Sequence, residues 1–165
     1  MKMKWLVVLP LVVALVTGWA GLASAASSTQ QTVTFEVQAI NEISVSGNPG
    51  TLTVSTATAG QQPDAVSDNS TTYAITTNES NKKITVAIDT AMPSGVTLQI
   101  QLAAPSGAAS VGNVTLSTTA ADAVTGITQV AQSGLTITYT LTATVAAGVV
   151  GQTTRTVTLT IVAGA

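Results

Sequence analysis

From Thr32 onward, apolar and polar residues alternate with a period of two. Val33, Phe35, Val37 and Ala39 are separated by Thr34, Glu36 and Gln38. Shorter runs follow at Ile43 and Val45, Leu52 and Val54, Tyr73 and Ile75, and Val114 and Leu116. Longer ones comprise Ile84, Val86 and Ile88; Val96, Leu98, Ile100 and Leu102; and Leu135, Ile137, Tyr139, Leu141 and Ala143. Val157, Leu159 and Ile161 close the chain. Successive side chains of a strand point to opposite faces, so each run predicts a strand with one face on a core and the other in water. Threonine, the usual polar partner, is β-branched and suits a pleated surface.

Turn-forming residues fall between these runs: Gly47 to Gly50, Gly60 to Pro63, Asn78 to Asn81, Pro93 to Gly95, Pro105 to Gly107, Gly112-Asn113, Ser133-Gly134 and Gly148 to Gly151. Gly, Asn, Pro and Ser supply the preset or positive φ that tight reversals need. The spacing predicts an all-β chain of eight or nine short strands, an antiparallel sandwich or barrel. The sole helical expectation after the leader is one short turn at Ala120 to Ala123.

The first residues read differently. Met1-Lys2-Met3-Lys4 is positively charged, Trp5 to Ala20 is mostly apolar, and Ala23-Ser24-Ala25 is an A-x-A pattern of small residues. That order is the layout of a secretory signal peptide, expected as a helix cleaved after Ala25. The apolar run is shorter than the roughly 20 residues of a membrane span, and no second long run follows it. The expectation is a secreted, extracellular or cell-surface protein with no stable membrane span after cleavage. It divides into a leader at 1–25, an N-terminal segment at 26–46 and a β-sandwich body at 47–165.

Composition then narrows the chemistry. The chain of 165 residues has no His and no Cys, and only 7% of it is charged. Without imidazole or thiol there is no Ser-His-Asp triad, disulfide or common zinc, haem or copper site, so no metal, cofactor or catalytic residue is expected. Losing the leader removes Lys2, Lys4 and both tryptophans, Trp5 and Trp19. The cations left are Lys82, Lys83 and Arg155, against seven anions. So acidic a chain is not built to track nucleic-acid phosphates.

The run Val33 to Ala39 follows a polar stretch of small residues, Ala26 to Gln31. Two placements are open for it. It pairs within its own body as the first strand, or it adds to a sheet edge of a neighbouring copy and lodges Val33, Phe35, Val37 and Ala39 there. Sheet edges are normally guarded by charge, Pro or bulges. Here Asp122 is the only charge between Asp89 and Arg155, which leaves few residues for that duty.

A leader, Cys-free alternating strands, a Thr-rich outer face and a detachable N-terminal strand resemble secreted immunoglobulin-like fibre subunits, the pilin-type and biofilm-fibre proteins that polymerise by strand donation. Thr32 to Ala39 carries the likeness as the candidate donor. Leu135 to Ala143 and Arg155 to Ile161 carry it as paired core strands. The resemblance implies an immunoglobulin-like sandwich and a structural subunit of an extracellular fibre, pilus-like filament or surface layer. Its expected partners are further copies of itself, with other surface or matrix components also open. The alternative is a monomeric secreted binding module for a glycan or a surface protein.

Remaining candidate chemistry is sparse. Asp64, Asp68, Asn69, Asn78 and Glu79 could offer oxygens to calcium, but lack the ligand series of an EF-hand and read as solvated loop residues. Paired carboxylates for glycoside hydrolysis would lack aromatic platforms for a sugar. Lys82 and Lys83 read as cations guarding a sheet edge; the other option is an internal Lys–Asn amide crosslink aided by a buried carboxylate. Asn69, Asn78 and Asn113 each open an N-x-[ST] sequon, relevant only to a host that glycosylates. Tyr73 and Tyr139 share the apolar parity of their strands and are expected in the core.

Overall fold

The computed structural model describes residues 26–164, so the expected leader helix lies outside the described residues. The chain divides into two units, 1–36 and 37–165. In the first, residues 26–36 form no strand. The second is all-β, with two antiparallel sheets.

Nine strands are present among the described residues: β1 (Asn41–Val45), β2 (Val66–Thr77), β3 (Lys82–Ile88), β4 (Val96–Leu102), β5 (Ala109–Ser110), β6 (Val114–Thr115), β7 (Ala121–Ile127), β8 (Val130–Ala143) and β9 (Val157–Ala163). One sheet has the order β1-β2-β8-β4-β6, the other β5-β7-β3-β9. A single 3-10 turn, Val145–Ala147, follows β8.

The period-two runs place the core. Tyr73 and Ile75 of β2, Leu98, Ile100 and Leu102 of β4, and Leu135, Ile137 and Tyr139 of β8 are buried from one sheet. Ile84, Val86 and Ile88 of β3 and Ala123, Val124 and Ile127 of β7 meet them from the other. A fully buried aliphatic or aromatic side chain stabilises the fold by about 1.5–3 kcal/mol, so these residues supply most of the driving force. The Tyr73 hydroxyl donates to the Ala103 carbonyl, which satisfies the polar end of a buried ring. The outer faces of β4 and β8 pair Thr97 with Thr142, Gln99 with Thr140 and Gln101 with Thr138. Across the next ladder, Ser67 and Thr140 share a hydroxyl hydrogen bond of 2.9 Å.

Bulges account for several departures from the sequence pattern. Between Tyr73–Leu135 and Ile75–Gln132, β8 spends one residue more than β2. The extra residue falls at Ser133-Gly134, where Gly134 has φ +71°, a conformation L side chains rarely adopt. The expected turn at this dipeptide is therefore a bulge inside a strand of fourteen residues. A similar slip at Thr125-Gly126, and another at Ala123, distort the β7–β3 ladder. The slip at Ala123 puts two successive residues, Ala123 and Val124, into the core.

Three further expectations are corrected. The helical turn at Ala120 to Ala123 is strand instead, because Ala121–Ile127 pairs with β3. Leu52 and Val54 lie in no strand; Leu52 packs against the core from a loop, so its alternation reports burial without a ladder. Lys82 and Lys83 do not guard an edge, because β3 lies between β7 and β9.

The two Pro-Ser-Gly turns were legible. Val96 N–H donates to the Pro93 carbonyl and Ala108 N–H to that of Pro105, with Gly95 and Gly107 at φ +77° and +81° in the third position. That is the arrangement of a type II turn.

Candidate functional site

Val33, Phe35 and Val37 are 72%, 87% and 78% exposed, and Ala39 is exposed too. None of them belongs to a strand. Phe35 is the chain's one phenylalanine, while both tyrosines, Tyr73 and Tyr139, lie in the core. An alternating apolar stretch with no ladder leaves both its side chains and its peptide groups open to association.

The root of this segment is fixed where it meets the sheet. Asn78, in the turn between β2 and β3, donates from Nδ2 to the Gln38 carbonyl at 2.7 Å. Its Oδ1 accepts the Ile40 N–H at 2.8 Å, and its own N–H donates to the Ile40 carbonyl at 3.3 Å. One side chain thus satisfies a donor and an acceptor just before β1 begins, mimicking a strand partner.

Beside this clamp, Asn41 donates to the Glu79 carboxylate, which also pairs with Lys82 at 2.9 Å. The Asn41 amide oxygen accepts the Thr77 hydroxyl proton. Hydrogen bonds from Asn41 and Lys82 hold the Glu79 carboxyl below its ordinary range. These are the three residue types of an amide crosslink. Here, however, the Glu79 side chain is 35% exposed and engages Lys82 as an ion pair, where the crosslink would need a buried carboxylate.

The other flagged residues do not converge. Asp68 accepts from the hydroxyl and N–H of Ser70 and from Gly50 N–H, which lowers its pKa. Asp64 N–H closes a loop onto the Thr56 carbonyl. Among the described residues, no group of three carboxylates gathers as a metal would require. Lys83 pairs with Asp122 at 3.0 Å across the β3–β7 ladder.

Two open hollows run along the β1–β2 ribbon. One is lined by Glu42, Ile43, Ser44, Ala74, Ile75 and Thr76, the other by residues from Ser44 to Ser46, Thr72 to Ala74 and Ser133-Gly134. Glu42 is the only ionisable side chain in the first, and Tyr73 in the second. Among the described residues, no helix is long and apolar enough to cross a membrane.

Sequence reasoning placed Asn78 in a turn and missed its clamp. Its partners lie 38 and 40 residues away, and no local pattern encodes a contact at that separation.

No protein-family model matches the chain, and no curated protein or solved structure matches it.

Proposed function

We propose that this chain is a secreted structural subunit of an extracellular fibre, pilus-like filament or surface layer, assembled by β-strand donation. The observation that carries this is the exposed alternation of Val33, Phe35 and Val37 on a segment without a ladder. The body forms its two sheets and gathers its core from other residues, none of them in that segment, so the segment is free to serve a neighbour. In this reading the body is an immunoglobulin-like sandwich delivered by the leader at 1–25. Its mechanism consists of main-chain ladder bonds and side-chain packing.

Electron microscopy of the native secreted material tests the reading, together with boiling in detergent. Fibres or sheets that vanish when residues 26–39 are deleted are the expected result. Monodisperse particles that never assemble, or a polymer indifferent to the deletion, overturn it.

A further inference from the structure

Resting on the strand-donation reading, we infer that the acceptor is the open edge of β9, and that its occupant is the Thr32 to Ala39 segment of a second copy. Four strands end the two sheets: β1, β6, β5 and β9. β5 and β6 have two residues each, too few to template a strand. β1 has five and carries an exposed charge, Glu42. β9 has seven residues, no bulge in its register with β3, and no charge or Pro from Thr156 to the end of the chain. A long, regular, uncharged edge is the kind that proteins otherwise avoid leaving bare.

Burial points the same way. Ile84, Val86 and Ile88 of the neighbouring β3 are at most 4% exposed, whereas Val157, Leu159 and Ile161 of β9 are only half-buried. The core is sealed at β3 and left open one strand later.

The ladder fixes which groups are available. Gly164 N–H donates to the Asn81 carbonyl and Asp89 N–H to that of Thr156, so the bonded pairs of β3 and β9 fall at the even positions of β9. Val157, Leu159, Ile161 and Ala163 therefore turn their peptide groups outward. An antiparallel donor places Val33, Phe35 and Val37 opposite Ile161, Leu159 and Val157. This register aligns the apolar faces and satisfies the outward peptide groups together, whereas a slip of one residue keeps the ladder but turns Thr34 and Glu36 to the core face. Thr34 and Thr160 then oppose each other at a non-bonded position, where Cα atoms of paired strands lie about 4.5 Å apart. The contact joins different surfaces of two copies, so each added copy presents a free donor and a free acceptor to the next.

The absence of Cys makes the test clean. In the full chain carrying T34C and T160C, mild oxidation is expected to give a detergent-resistant ladder of multimers, with neither single variant giving more than a dimer. Cβ atoms opposed at this spacing suit a disulfide. A ladder from T34C with S44C instead, with none at Thr160, moves the acceptor to β1 and overturns the assignment while strand donation stands. A monomer whose two thiols close on each other makes the segment its own tenth strand and overturns the assignment. Polymer that survives deletion of 26–39 removes strand donation itself.

Discussion

Asn78 grips Gln38 through a 2.7 Å hydrogen bond from its side-chain amide to the Gln38 carbonyl, across forty positions of sequence. With the bond to Ile40 N–H, it sets where the apolar N-terminal segment leaves the sheet. Asn78→Ala removes both bonds, and each is worth about 1 kcal/mol. The expected outcome is faster amide exchange at Ile40 and earlier proteolysis near Val37, with the core unchanged. Unchanged exchange at Ile40 would show the clamp to be idle.

Gly95 and Gly107 occupy the same position of matching turns, but their surroundings differ. A Cβ at Gly95 would lie 2.8 Å from Ala147 N and 2.9 Å from Thr144 Oγ1, while at Gly107 nothing comes within 4 Å. Gly107→Ala is expected to cost about 1–2 kcal/mol for the positive φ alone. Gly95→Ala adds a backbone clash and is expected to cost more. Urea midpoints of the two variants check the order, and equal midpoints would refute it.

Thr71 is buried, and its Oγ1 finds no hydrogen-bond partner among the described residues. A buried hydroxyl without a partner costs about 1–3 kcal/mol in desolvation. Thr71→Val keeps the shape and drops the hydroxyl, so stability is expected to rise by about 1 kcal/mol. A fall in the melting temperature would reveal a partner for that oxygen.

Burial pushes the Tyr73 phenol up to about 12 and raises that of Tyr139. The folded state holds these groups neutral. Their contribution is therefore complete below the unfolded tyrosine pKa of about 10, and is lost as pH rises through the folded value. Without the leader the chain has no Trp and only these two Tyr, so ultraviolet absorbance reports them directly. Phenolate is expected to appear together with loss of the sheet signal in circular dichroism. Ionisation near the ordinary tyrosine value with the sheet intact would contradict the burial of both rings.

The arrangement of Lys82, Glu79 and Asn41 predicts an ion pair and no covalent bond. Intact mass of the leaderless chain should equal that of its sequence. A mass lower by one ammonia would show that Lys82 had condensed with an asparagine.

Much of the sheet was readable because its strands keep strict parity. In β3, β4 and the middle of β8, the buried residues fall at every second position, and the runs from Ile84, Val96 and Leu135 mark them. β7 escaped because its bulges break parity, and because Thr128-Gln129, which joins it to β8, offers neither Gly nor Asn. Gln129 adopts φ +42° there, and its N–H donates to the Glu79 carbonyl. The first half of β2 escaped for lack of apolar residues; Ser67 to Thr72 is held mainly by its ladder with β8. The candidate segment was legible as an alternating run. Its lack of a home strand was not, since pairing depends on which edges the rest of the chain leaves open.

Thr97, Gln99, Gln101, Thr138, Thr140 and Thr142 make the outer faces of β4 and β8 a polar patch without a charge. Mobile ions have almost nothing to screen on such a surface. Contacts made through that patch would hold to nearly the same degree in brine and in fresh water.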